Sequence, residues 1–152
     1  MLRQDAFRYT VRARTTPATA SAFLSDLTRQ AELHPLIVRI ERRAPRPGAL
    51  AGYVITDRLA WGPVRFPVTY RADVLRANED EVVTEARRWP RTTVRNHTRL
   101  YREPSDDEVR IDVEITLVAP GPLFGYAFRQ ARSAHLALAD RLGPAIENQP
   151  PE

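Results

Sequence analysis

The chain contains no cysteine and no lysine, only six glycines and a single methionine. Without cysteine there is no disulfide framework, no thiolate nucleophile and no thiolate metal site. The three histidines are scattered, with no pair at the i, i+4 spacing of a helical metal site, so no metal is expected. Gly48, Gly52 and Gly62 stand alone, which excludes a glycine-rich phosphate loop. Ser21, Ser25, Ser105 and Ser133 lack the glycine-flanked strand–turn–helix setting of a hydrolase nucleophile. Covalent and cofactor-dependent mechanisms are disfavoured on these grounds, and no cofactor is expected. No apolar run approaches the ~20 residues needed to span a bilayer. The first residues, Met1 to Asp5, lack the apolar core of a signal peptide. A cytoplasmic location is the expectation, with transient contact with a membrane surface left open.

With 152 residues, 43% of them hydrophobic and 28% charged, the chain has the size and composition of one soluble domain. Residues 1–148 are expected to form that domain, as a monomer or homodimer, and 149–152 a disordered tail. All 23 basic residues are arginine, and the net charge is +4. An all-arginine complement suggests coding bias in a GC-rich, bacterial genome. The arginines also alternate with carboxylates along the strands, so nucleic acid is not expected as a partner.

Phe7, Tyr9, Val11 and Ala13 alternate with Arg8, Thr10, Arg12 and Arg14, the pattern of a strand with one wet face. Thr16-Pro17 supplies an N-cap and a first helical position. A short helix follows over Ala18 to Leu27, then a second turn over Arg29 to Leu33. Strand pattern resumes over Ile37 to Arg43, and Pro45-Arg46-Pro47-Gly48 is a loop. A meander is predicted over Tyr53 to Ala60, Val64 to Val74, Val82 to Trp89, Thr92 to Tyr101 and Val109 to Val118. The period then changes. Apolar or small residues recur at Phe124, Phe128, Ala131, His135, Leu138 and Leu142, one helix face, with Arg129, Arg132, Ser133, Asp140 and Arg141 opposite. Pro122 marks the helix start. Gly143-Pro144 predicts its stop or a kink, because the residue before a proline is pushed out of the helical region.

Strand, helix pair, six meandering strands and one long helix predict an α+β domain: a curved antiparallel sheet of about seven strands wrapped on the C-terminal helix. This order, the segment from Asp26-Leu27 to Glu32-Leu33-His34-Pro35-Leu36 and the closing helix resemble the START-like (SRPBCC) helix-grip superfamily. That superfamily holds polyketide cyclases/dehydrases, lipid-transport-like proteins and Bet v 1-like allergens. Relatives often carry tryptophan before the His-Pro pair, where this chain has Leu33. The resemblance covers nearly the whole chain and implies a hydrophobic cavity between sheet and helix.

Register can be read from charge pairing. Setting Leu100 opposite Ile111 also sets Thr98 opposite Val113 and Asn96 opposite Ile115, and places Arg99 against Asp112 and His97 against Glu114. His97 then faces outward as a partner of Glu114. With Trp61-Gly62-Pro63-Val64 as a turn, Phe66 lies opposite Leu59, Val68 opposite Asp57 and Tyr70 opposite Ile55. The inward rows therefore offer Tyr53, Ile55, Phe66, Val68, Tyr70, Asn96, Thr98, Val113 and Ile115 as ligand-contacting residues. The helix adds Phe124, Phe128, Ala131 and His135. Asp57 interrupts its apolar row. It either turns inward with Arg88 as its partner or sits outside beside another arginine. His135 is either a core histidine or a polar contact on the cavity floor, and His34 is expected at the cavity entrance. Two main classes remain. One is a carrier or sensor of a small hydrophobic lipid-, polyketide- or isoprenoid-like molecule. The other is a cofactor-free cyclase or dehydratase in which Asp57, Tyr70, Arg88 or His135 moves protons and stabilises an enolate. A protein-interaction module is a weaker alternative.

Overall fold

The computed structural model describes residues 1–104 and 107–149. Residues 150–152 of the expected tail lie outside the described residues, as do residues 105 and 106 of the Glu103–Asp107 turn. Along the chain run β1 (Leu2–Arg14), α1 (Pro17–Ser25), α2 (Leu27–Ala31), β2 (Ile37–Arg43), β3 (Ala51–Trp61), β4 (Val64–Ala77), β5 (Glu81–Arg88), β6 (Thr92–Glu103), β7 (Glu108–Pro120) and α3 (Gly121–Glu147). Among the described residues the seven strands make one curved antiparallel sheet in the order β1-β7-β6-β5-β4-β3-β2. Thr16 caps α1, its hydroxyl accepting from the Thr19 N–H at 3.1 Å, and Pro17 occupies the first turn. No helix among the described residues is long and apolar enough to cross a membrane.

The register is the expected one. Leu100 faces Ile111, Thr98 faces Val113 and Asn96 faces Ile115. Phe66 faces Leu59, Val68 faces Asp57 and Tyr70 faces Ile55 across a tight turn in which Gly62 takes a φ of +59°. The ion partners on the outer face differ from expectation. Glu114 pairs with Arg8 at 2.6 Å and Asp112 accepts from Thr10 at 3.0 Å, because β7 is flanked by β1 as well as β6. His97, set against Glu114 in the register, instead hydrogen-bonds Glu81 of β5 at 2.7 Å.

The end of α3 also departs from the sequence reading. The helix does not stop at Gly143-Pro144 but continues to Glu147. Leu142 and Ile146 are buried in the core, and Gly143 lies so close to β1 that a Cβ there would meet the Arg12 carbonyl oxygen at 3.1 Å. The Arg14 N–H donates to the Glu147 carboxylate at 2.7 Å. Packing on β1 thus outweighs the one backbone hydrogen bond that Pro144 cannot donate.

α3 lies over β1 and β7, at one side of the sheet. Its contact there is a filled core: Phe7, Val11, Ile111, Ile115, Leu138 and Leu142, joined by Phe23 and Leu24 of α1. Phe128 packs edge-on against Phe7 at 5.7 Å and stacks on Phe124 at 5.5 Å. The space over β3, β4 and β5 is left to the other flank of the helix. A second cluster on the convex side is polar. Asp73 and Glu85 face each other across β4 and β5, and Arg46 of the β2–β3 loop bridges them at 3.2 and 3.4 Å.

Candidate functional site

A cavity of about 360 Å³ opens between the sheet and the uncovered flank of α3. Strand alternation supplies its sheet wall: Ile55, Asp57 and Leu59 from β3, Phe66, Val68 and Tyr70 from β4, Thr84, Ala86 and Arg88 from β5. On α3 the wall is Ala127, Ala131 and Ala134, small residues at i, i+4 and i+7 that leave the space open. α2 and the segment after it contribute Leu27, Gln30 and His34. The lining is mostly apolar, with a polar end.

That polar end has defined geometry. Asp57, only 2% exposed, accepts a hydrogen bond from the Tyr70 hydroxyl at 3.1 Å and lies 3.9 Å from the Arg88 guanidinium. Arg88 also sits over the Tyr70 ring, 4.7 Å from its centroid. Its Nε is buried with no hydrogen-bond partner among the described residues, and so is Nδ1 of His135. The His135 ring meets that of His34 edge-on at 5.7 Å. His34 Nδ1 accepts from the Leu36 N–H at 3.2 Å, which assigns the His34 proton to Nε2 when the ring is neutral.

Protonation follows from burial. Burial pushes the Asp57 carboxyl up, against the pull of Arg88 and the Tyr70 hydrogen bond. Burial and the neighbouring carboxylate raise the Tyr70 phenol, so it remains a donor. Burial lowers His34 to about 4, with Arg88 adding to the effect. Burial, then His34, lowers His135 to about 3. Near neutral pH both imidazoles are uncharged, and Arg88 is a cation only loosely matched by its carboxylate.

Of the residues expected at the cavity, the structure brings Ile55, Asp57, Phe66, Val68, Tyr70 and Arg88 together around it, with Asn96, Ala131 and His135. The others do not line it. Tyr53 is buried in a cluster with Ala72 and Val74. Val113, Ile115 and Phe128 fill the core between α3 and the β1–β7 side, and Phe124 packs on Leu117 and Ala119. Thr98 is buried, its hydroxyl donating to Asn96 Oδ1 at 2.8 Å. The cause is shared: α3 covers one side of the sheet, so residues beneath it are core and residues beside it are wall. Thr84 and Ala86 come inward with Arg88 on β5, and Ala127, Gln130 and Ala134 of α3 were not expected there. A row of alanines flanking the apolar stripe of α3 was the available signal.

The sequence matches no family model and no curated protein. Solved structures do match in fold. The di-domain ARO/CYC BexL of the BE-7585A biosynthetic pathway aligns with a TM-score of 0.70 at 17% identity, over 97% of this chain and 51% of that one. The di-domain ARO/CYC StfQ of the steffimycin pathway aligns at 0.71 and 12% identity, over 95% and 51%. A START superfamily protein from Mycobacterium smegmatis aligns at 0.64 and 14% identity, over 90% and 96%. This chain therefore spans about half the length of the two di-domain proteins. It has the START-like helix-grip fold.

Proposed function

We propose that the cavity binds one small, mostly apolar molecule, with an oxygen of that molecule accepting from Arg88 at the polar end, and that the protein acts as its carrier or sensor. The observation that carries this reading is the pair of buried, unpartnered nitrogens, Arg88 Nε and His135 Nδ1, on a cavity whose walls are otherwise mostly apolar. An unpaired buried donor costs ~1–3 kcal/mol, and more when charged, so a ligand that supplies the missing partner recovers that energy. The apolar walls contribute ~25 cal/mol per Å² of ligand surface buried, and the volume suits a single drug-sized molecule. A lipid-, polyketide- or isoprenoid-like molecule with a carbonyl or phenol at one end fits these demands. The fold shared with two di-domain ARO/CYC proteins agrees with a ring-forming polyketide as the class.

The raised Asp57 carboxyl favours a second reading, cofactor-free cyclisation or dehydration of such a ligand. In that reading Asp57 donates or accepts the proton through Tyr70, and Arg88 holds the enolate oxygen.

The binding reading is tested with 1-hydroxyanthraquinone and anthracene as probes of similar shape, followed by quenching of Trp61 and Trp89 at the cavity mouth. The oxygenated probe should bind about 10–100-fold more tightly, the worth of a charge-assisted hydrogen bond, and Arg88→Met should remove that preference. Equal affinities in the wild-type protein would refute the reading.

A further inference from the structure

The strands are antiparallel, so the connections sort to two ends of the sheet. One end carries the β3–β4 turn at Gly62-Pro63, the β5–β6 turn at Trp89-Pro90-Arg91 and the start of α3. The cavity opens here. Trp61, Trp89 and Leu123 line it and are nevertheless 64%, 90% and 38% exposed. The Trp61 hairpin tip is held in place. Its indole stacks on Tyr126 at 5.2 Å, and the Tyr126 hydroxyl donates to the Ala60 carbonyl at 2.9 Å.

The same end is strongly basic, although Asp5 of β1, opposite Leu117, places one exposed carboxylate there. The stretches 58–67, 86–96 and 117–133 contain eight arginines and no aspartate or glutamate. Arg87 and Arg95 reach back to Glu85, and Arg88 turns into the cavity. Arg58, Arg65, Arg91 and Arg129 are exposed and have no ion-pair partner among the described residues. The opposite end carries Glu79, Asp80 and Glu81 in one turn and Glu103, Asp107 and Glu108 in another. There Glu81, Glu103 and Glu108 are paired with Arg12, Arg76 and Arg110, so the two ends differ in having paired arginines at one and unpaired arginines at the other.

We propose that the arginine-rich end docks on an anionic lipid bilayer. Trp61, Trp89 and Leu123 enter the boundary between headgroups and acyl chains, and Arg65 and Arg91 meet lipid phosphates. Tryptophan and arginine are the side chains suited to that depth, one end apolar and the other polar or charged. The aromatic groups stand on projecting hairpin tips, which a soft interface accepts without matching pockets. Exposed arginines are drawn to anionic lipid and act over about a Debye length. Docked this way, the cavity opens toward an apolar phase. The proposal rests on exposure and charge, and does not depend on which molecule the cavity holds.

The test uses the full chain with vesicles of phosphatidylcholine, alone or mixed with phosphatidylglycerol. Trp61 and Trp89 are the only two tryptophans, so all indole emission reports on this surface. Co-sedimentation with the mixed vesicles is expected, with a blue shift and quenching by brominated lipid, and neither is expected with phosphatidylcholine alone. The Arg65→Glu/Arg91→Glu double variant should weaken vesicle binding by at least about tenfold. It should still bind 1-hydroxyanthraquinone at the wild-type stoichiometry, which separates failure of this surface from failure of the cavity reading. No co-sedimentation, equal binding to both vesicle types, or binding without a shift in emission would each overturn the proposal. An emission shift with an acidic protein but none with vesicles would assign the surface to a protein partner and overturn it as well.

Discussion

Replacing Asp57 by leucine probes the polar end of the cavity from the inside. The change removes the acceptor of the Tyr70 hydroxyl and, among the described residues, the only carboxylate paired with Arg88, at 3.1 and 3.9 Å. Stranding the hydroxyl costs ~1–3 kcal/mol. At 3.9 Å, the gross attraction lost to Arg88 is about 4 kcal/mol at an effective dielectric constant of ~20. Asp57 is raised despite that attraction, so desolvation of its carboxylate cancels much of it. The net loss for Asp57→Leu should be ~2–4 kcal/mol. Arg88→Met added to it removes the stranded cation, leaves only the hydroxyl unpaired, and should recover about 1–2 kcal/mol. Asp57→Asn keeps an acceptor for Tyr70 and discards the buried charge, so it should leave stability within ~1 kcal/mol of wild type. The assay is urea unfolding near neutral pH with linear extrapolation. Strictly additive losses in the double variant, or a large loss in Asp57→Asn, would refute the pairing.

Two further outcomes concern pH and the convex face. His34 and His135 are lowered from 6.5 to about 4 and about 3, so the unfolded chain takes up protons first. Their contribution is complete above pH 6.5 and is lost as pH falls toward 3, on the order of 3 kcal/mol for His34 and about 5 kcal/mol for His135. Asp57, being raised, acts in the opposite direction, stabilising more below its folded pKa than above it. His135→Phe should flatten the acid limb of the stability–pH curve, and an unchanged limb would contradict the assignment. On the convex face, Arg46→Met leaves Asp73 and Glu85 opposite each other with Arg71 and Arg87 still attached, at 3.3 and 2.7 Å. A loss of ~1–3 kcal/mol is expected by thermal melting, and a melting curve identical to wild type would show that Arg46 does not bridge the pair.

The sequence offered the meeting of Asp57 and Arg88 in the cavity as one of two placements, the other setting Asp57 outside, and the structure turns both inward. Asp57 and Arg88 each break an apolar alternation, and a strand has only two faces, so a register fixed by its neighbours also fixes their side. The two-residue turn at Gly62-Pro63 transmitted that register from β3 to β4. The position of α3 over the sheet was not legible. An amphipathic stripe shows that a helix has an inner face but not which strands lie under it. Val113, Ile115, Phe124 and Phe128 were therefore placed at the cavity, whereas they are the contact that seats α3 on the β1–β7 side. The same blindness to tertiary packing ended the helix at Gly143, where burial against β1 carries it on to Glu147. His97 shows the limit at the level of one side chain: its register opposite Glu114 was readable, but its rotamer toward Glu81 was not.

Whether the cavity is the place where a ligand binds can be decided by filling it. Ala131 lies on the cavity wall of α3, and Ala131→Trp would put an indole into the roughly 360 Å³ space. Native mass spectrometry with 1-hydroxyanthraquinone should find one molecule bound per wild-type chain and none on the variant, with cooperative melting retained. Full stoichiometry on Ala131→Trp, together with a normal melting curve, would mean that the ligand binds elsewhere.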